Sequence, residues 1–351
     1  MHIFFCGDIM PGGRFPYQDS YIDEGLLAYM RSFDLRVGTL EAAIGSDYSF
    51  DENKMKGRCN IVYARDEDLF RVKELGMNVV SLANNHVFDL GEEGLINTCC
   101  KLDDLGIMYC GAGVNNEAAR KPAIVSIEGK TIAFIGCCSP DPNQVGFLKV
   151  ATNSQPGVNP IDESILEDIK EAKKSYDIVI VLPHWGKEHC YMPLPSVIDF
   201  SQRMIDAGAD AVLGSHAHIA QPMIKYKGKP IVYGMGNFLF PDYYMKPPRP
   251  MWYPNPSEID VNIKRVVGYP FPIHEPLIHV WPDKSRTGMV LDYSLLGTDV
   301  KVKFRFTHLS EDNIVSLKNN LMKSIKISSS QLFVRNSFCS KLFFGIRRRL
   351  K

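Results

Sequence analysis

The sequence predicts an α/β fold with a mostly parallel sheet whose strand ends carry the chemistry. Three observations support this. Short apolar β-type runs recur along the chain and end in polar or ionisable residues. Amphipathic stretches of helical period lie between them, several stopped by glycine. The run Ile178-Val179-Ile180-Val181-Leu182 is apolar throughout, the pattern of a strand covered on both faces.

Ile3-Phe4-Phe5-Cys6 reads as the first buried strand, with Gly7-Asp8-Ile9-Met10 after it. A second strand, from Leu35, ends in Glu41. Residues 45–60 are polar and read as loop. Asp66 to Leu75 has helical period and stops at Gly76, a good residue just past a helix end. Val79-Val80 is strand, and Ser81 to Gly91 carries Asn84-Asn85-His86 into the next helix, Glu92 to Leu105. Ile107 to Cys110 is a strand with Gly111-Ala112-Gly113 as its turn. Ala123–Ile127 and Thr131–Ile135 form a hairpin around Glu128-Gly129-Lys130. Residues 139–160, rich in Pro, Asn and Gly, read as loop.

Asp162 to Ser175 is helical. The strand from Asp177 to Leu182 leads to Pro183-His184-Trp185-Gly186-Lys187-Glu188. Pro195 to Ala207 is a helix ended by Gly208. Ala211-Val212-Leu213 is a strand, with Gly214-Ser215-His216-Ala217-His218 at its end. Pro230 to Phe238 reads as one strand running into a Gly-Asn turn. Pro241 to Pro282, rich in Pro, Tyr and Trp, reads as a lid-like or packing segment. Gly288–Leu296 and Val300–Thr307 read as paired strands, and residues 311–326 as a helix. The tail from Phe338 to Lys351 mixes Leu342, Phe343, Phe344 and Ile346 with an Arg cluster. It reads as a frayed basic tail or as an interfacial helix on anionic lipid.

Composition narrows the function. Lys+Arg and Asp+Glu both number 40, so no global field favours nucleic acid, and no nucleic-acid partner is expected. The nine cysteines are an odd number without C-x-x-C spacing, which suits a reducing compartment. Met1 to Cys6 is too short for the apolar core of a signal peptide. No run approaches the ~18 apolar residues of a membrane span. A cytoplasmic protein is expected, peripheral to the inner face of the membrane if the tail binds lipid.

Candidate ligands stand at the ends of several strands: Asp8, Glu41, Asn85 with His86, His184, and His216 with His218. In a mostly parallel sheet such ends converge on one edge. Hard oxygens mixed with imidazoles suit Mn²⁺, Fe²⁺ or Zn²⁺ better than Ca²⁺ or Mg²⁺. Gly-x-His-x-His is the strongest single element, because it puts two imidazoles on one tight turn. Taken alone, Asn-Asn also suits a plain turn, and a lone Asp a turn cap.

These motifs resemble the CapA family of poly-γ-glutamate capsule biosynthesis proteins, related to calcineurin-like metallophosphoesterases. The residues that carry the resemblance are Gly7-Asp8-Ile9-Met10, Leu40-Glu41, Ser81 to His86 with Asp89 and Gly91, His184-Trp185-Gly186-x-Glu188, Gly208 to His218, and Gly234-Met235-Gly236-Asn237-Phe238. They occur in the family's order over roughly residues 2–240. The resemblance implies a four-layer αββα metallophosphatase-like sandwich over residues 1–310 and a helical, basic tail over 311–351. It implies one or two divalent ions on Asp8, Glu41 (bridging), Asn85, His184, His216 and His218. It also implies His86 as general acid, with Asp89 orienting it. The chain departs from the wider phosphoesterases at Asp8-Ile9-Met10, where those have Asp-x-His, and at Glu41, where they bridge with Asp. Within the family pattern, Thr39 stands for a common Asn and Ala217 for a common Pro.

Two functions follow. One is a metal-dependent hydrolase in capsule or poly-γ-glutamate synthesis, with Arg14, Asn84 and Glu188 binding substrate. Its chemistry suggests a phosphoester, while the family suggests a γ-glutamyl or other capsule component. The other is a non-catalytic, metal-binding assembly factor working with capsule-synthesis proteins, since fold does not settle function.

Overall fold

A computed structural model describes residues 1–46, 61–139, 148–247, 249–268, 273–296 and 299–318. Two large sheets face each other. The first has the order Val315–Lys318, Asp299–Leu309, Thr287–Leu296, His2–Ile9, Leu35–Leu40, Val79–Ser81, Met108–Cys110, with Asn237–Leu239 also pairing His2–Ile9. The second runs Met223–Tyr226, Lys229–Val232, Ala211–Leu213, Ile178–His184, Lys130–Cys138, Ala123–Ile127. In the first sheet Asn237–Leu239, His2–Ile9, Leu35–Leu40, Val79–Ser81 and Met108–Cys110 pair in parallel, while Thr287–Leu296 pairs antiparallel with both His2–Ile9 and Asp299–Leu309. In the second, Lys229–Val232, Ala211–Leu213, Ile178–His184 and Lys130–Cys138 pair in parallel, so the C-terminal ends of each parallel set share an edge.

Strand periodicity sets the layers. Ile3, Phe5, Val37 and Val79 of the first sheet pack against Phe134, Ile180, Leu182 and Leu213 of the second. The alternate residues Phe4, Leu40 and Val80 face Leu26 and Met30 of helix Glu24–Arg31 and Leu95 and Leu102 of helix Gly91–Asp104. Val179, Val181 and Val212 face Ile165 and Ile169 of helix Ser164–Ser175 and Val197 and Met204 of helix Pro195–Ala207. The layer order is therefore αββα. It also explains the apolar run at 178–182, because both of its faces are buried.

Several expectations change. The single strand over 230–238 is two strands in different sheets, Lys229–Val232 in the second and Asn237–Leu239 in the first. The chain crosses between sheets at Tyr233–Gly236, and Gly236 takes φ +71 there. A Cβ on Gly7 would lie 1.8 Å from the Gly236 carbonyl, so the first strand and this crossing need glycine to meet. Gly111–Gly113 is more than a turn, because Ala112–Gly113 pairs with Gly157–Val158 from the expected 139–160 loop. The segment 241–282 forms a four-stranded sheet in the order Arg249–Trp252, Tyr243–Lys246, Leu277–Val280, Lys264–Val267. Val315–Lys318 is a strand, not part of a helix over 311–326. Val315 is buried, and the segment adds an edge to Asp299–Leu309 with period 2 rather than 3.6. Residues 47–60 and 140–147 and the tail at 338–351 lie outside the described residues. Among the described residues no helix is long and apolar enough to cross a membrane.

One ion pair ties the small sheet to the core. Arg286 Nη2 donates to both Asp242 oxygens at 2.7 Å, and Asp242 Oδ1 also accepts from the Trp281 backbone N–H at 3.0 Å. Both side chains are buried. Without Arg286 the buried Asp242 carboxylate keeps only the exposed Arg265 guanidinium, 3.6 Å from Oδ2, as an ion-pair partner among the described residues, so Arg286→Leu is expected to cost up to about 3–5 kcal/mol in urea unfolding. A loss under about 1 kcal/mol, the worth of an exposed pair, would contradict this account of the ion pair.

Candidate metal centre

Five strand ends deliver the cluster. Asp8 lies near the end of strand His2–Ile9, and Glu41 directly follows Leu35–Leu40. The Glu41 N–H donates to the Ile9 carbonyl at 2.8 Å, which fixes the two carboxylates side by side. Asn85 follows Val79–Ser81, and His184 closes Ile178–His184. His216 and His218 follow Ala211–Leu213, with φ of +87 and +51. Positive φ is uncommon for residues other than glycine, and two such residues on one turn mark stored strain. All six side chains are buried.

Two triads emerge. Glu41, His184 and His216 form one; Asp8, Glu41 and His218 form the other. Within each, the candidate ligand atoms lie within 4.8 Å of one another. Glu41 belongs to both. Its Oε1 is 3.5 Å from His184 Nε2 and 3.6 Å from His218 Nε2. Asn85 Oδ1 is 2.7 Å from His184 Nε2, and His216 Nδ1 is 3.1 Å from the same nitrogen. Among the described residues, Asp8 Oδ2 and both Glu41 oxygens are buried without a hydrogen-bond partner. Buried carboxylates are costly unless they are hydrogen-bonded, paired or bound to a cation. This donor set therefore fits a divalent ion.

Electrostatics agree with that fit. Burial pushes Asp8 up to about 7, and it pushes Glu41 well above the usual carboxylate range, with Asp8 and Glu188 adding repulsion. Burial also holds His184 and His218 well below the usual imidazole range, and neighbouring imidazoles add to the effect. Both shifts favour the neutral form of His184 and His218, the state in which they can ligate.

The remaining expected residues divide. His86 Nδ1 lies 2.6 Å from Asp89 Oδ2, which also accepts from the Val62 N–H at 2.7 Å. Both residues are buried. Asn84 does not reach outward. Its Nδ2 donates to the carbonyls of Leu40 at 2.8 Å and Leu82 at 3.3 Å, and its Oδ1 accepts from the His86 N–H at 2.9 Å. It ties the 84–86 turn to the Glu41 strand, which is a positioning task rather than the substrate contact expected. Glu188 is half-buried beside His189, and its charge raises both Asp8 and Glu41. Burial raises Glu188 itself. Arg14 lies half-buried with its guanidinium 6.0 Å from the Tyr244 ring, and no hydrogen bond joins it to the cluster among the described residues.

Sequence reasoning missed two supports. Ser215 Oγ meets His184 Nδ1 at 2.9 Å, and Thr39 Oγ1 donates to Ser215 Oγ at 3.3 Å. Asn237 Oδ1 meets His218 Nδ1 at 2.8 Å. Both residues lay inside quoted motifs, but nothing in spacing says that they touch a ring nitrogen.

Comparison with known proteins places the chain. The family model described as bacterial capsule synthesis protein PGA_cap matches residues 2–242. The capsule biosynthesis protein CapA of Bacillus anthracis is 32% identical over 247 residues, covering 67% of this chain and 58% of that protein. The PGA biosynthesis protein CapA of Bacillus subtilis is 31% identical over 247 residues, covering 67% and 62%. The chain thus spans under two thirds of the length of the curated relatives it matches. Among solved structures, the 5'-nucleotidase of Candida albicans has a TM-score of 0.43 at 11% identity, covering 95% of this chain and 56% of that one. That likeness carries no argument, and the layer order rests on the packing described above. With the family model matching more than half of its length, this chain belongs to the bacterial capsule synthesis protein PGA_cap family.

Proposed function

We propose that the chain is a metal-dependent hydrolase with a phosphoesterase-type site, acting in capsule or poly-γ-glutamate synthesis. The observation that carries the reading is Glu41 shared by two buried triads, with no hydrogen bond to its oxygens among the described residues. Asn85, His184 and His216 would hold one ion with Glu41, and Asp8 and His218 a second. Mn²⁺, Fe²⁺ or Zn²⁺ suits this mix of oxygen and imidazole donors. Such an ion supplies Lewis acidity and an activated water.

The other steps belong to the chain. Asp89 accepts the Nδ1 proton of His86, which leaves Nε2 to hold and release the catalytic proton. Protonated His86 gives that proton to the leaving oxygen or nitrogen, and Asp89 stabilises the imidazolium beforehand. Ser215 and Asn84 hold His184 and the 84–86 turn in place. Glu188 and Arg14 are the proposed substrate contacts, Glu188 because it lies close enough to act on Asp8 and Glu41. The names of the relatives point to a γ-glutamyl or capsule-related substrate, and the donor set suits a phosphoester equally.

The test is turnover of aryl phosphate mono- and diesters and of poly-γ-glutamate by protein loaded with Mn²⁺, Fe²⁺ or Zn²⁺. Activity lost on chelation and in His216→Ala is expected, and unchanged activity in that variant would sink the assignment. Bound metal without turnover on any substrate favours the rival reading, a non-catalytic assembly factor. A Mycobacterium tuberculosis relative, 32% identical over 213 residues, is named a polyglutamine synthesis accessory protein, which supports that rival. Metal affinity should fall as pH drops below about 7, because Asp8 then carries a proton that binding must displace. Each pH unit weakens binding by up to about tenfold per displaced proton. Calorimetry in buffers of different ionisation enthalpy reads that proton release.

A further inference from the structure

A histidine binds a cation only through a nitrogen that lacks a proton. His218 is buried, between Phe240 at 5.6 Å and Trp281 at 4.9 Å between ring centroids. Its Nε2 lies 3.6 Å from Glu41 Oε1. Its Nδ1 lies 3.6 Å from Asp8 Oδ2 and 2.8 Å from Asn237 Oδ1. The Asn237 contact alone is within hydrogen-bond distance. An amide oxygen only accepts, so this contact places the ring proton on Nδ1. The Nε2 lone pair then faces Glu41.

The backbone fixes that amide. Asn237 opens strand Asn237–Leu239 and stands in register opposite Asp8 across the parallel pair. The Asp8 N–H donates to the Gly236 carbonyl at 3.1 Å, and Gly7 packs against the same carbonyl. The carboxylate and the amide flanking His218 are thus held on neighbouring strands. The amide is neutral, so it directs the proton without adding negative charge beside Asp8 and Glu41. Metal-bound histidines commonly give their other N–H to such an acceptor, and loss of the acceptor costs roughly 10–100-fold in affinity or activity.

We propose that Asn237 is a positioning residue that sets the tautomer of His218, and with it the affinity of the Asp8–Glu41–His218 triad for a divalent cation. The proposal rests on the metal-site reading above. Two measurements on the full chain test it. Long-range ¹H–¹⁵N correlation spectra of metal-free, histidine-labelled protein, assigned with His218→Gln, should show the proton of His218 on Nδ1. Calorimetric titration with Mn²⁺ and Zn²⁺ should show Asn237→Leu about 10–100-fold weaker at one of the sites. Asn237→Asp, which keeps an acceptor, should restore binding. A wild type with the proton on Nε2, or an Asn237→Leu variant that binds as tightly as wild type, overturns this proposal alone. The wild-type spectrum decides even if the Leu variant does not fold. A wild type that takes up neither metal overturns this proposal and the functional reading together.

Discussion

Glu41→Gln is expected to abolish metal binding at both triads while making the metal-free protein more stable. The two effects share one cause. Glu41 is the only residue common to both candidate triads among the described residues, so its carboxylate cannot be lost from one alone. The loss should exceed the roughly 10–100-fold that an outer-shell residue costs. In the metal-free chain the same carboxylate is buried, faces Asp8 and has no hydrogen-bond partner among the described residues. A neutral isostere removes the cost of ionising that buried group. The sign with pH follows from the raised pKa. Glu41 contributes stability while it keeps its proton at low pH, and that contribution is lost as pH rises through its folded-state value. The gain from Gln should therefore be small near pH 5 and grow toward alkaline pH. Thermal unfolding with and without metal checks both halves. A less stable metal-free variant, or retained binding at either triad, would contradict the account.

His86→Ala should leave metal binding intact and lower kcat by about 10²–10⁴-fold, the usual worth of a positioned general acid. The loss should be greatest for substrates with poor leaving groups, which need the proton, and least for activated aryl esters. Asp89→Asn should mimic part of the effect, since the 2.6 Å contact that holds Nδ1 loses its charge. Equal losses on good and poor leaving groups would remove His86 from the proton-transfer step. It would then be a structural residue of a buried turn.

Much of this site was legible because its residue types sit where strands stop. Asp8, Glu41, Asn85, His184, His216 and His218 each follow or close an apolar run, and parallel pairing brings those ends together. Helix Pro195–Ala207 was equally plain, with Pro at its first turn and Gly208, at φ +123, after it. What escaped depended on contacts rather than pattern. Asn84 looked like a substrate contact until its amide was seen spent on the Leu40 and Leu82 carbonyls. Ser215 and Asn237 matter because of which ring nitrogen they touch, and a one-dimensional motif does not encode that. The crossing at Tyr233–Gly236 was hidden because the apolar run continues through it and only the positive φ of Gly236 breaks it. The small sheet over 243–280 is made of four-residue strands, one pair with a bulge at Tyr244/Lys246, too short for alternation to declare itself. Val315–Lys318 failed for the same reason, since four residues fit either period.

The most direct measurement is anomalous diffraction from crystals soaked in Mn²⁺ or Zn²⁺, collected at the metal edge. The account predicts a peak within coordinating distance of Glu41, His184 and His216, and a second bridged to it by Glu41 toward Asp8 and His218. Anomalous density confined to other parts of the molecule, with Glu41 touching no ion, would contradict it.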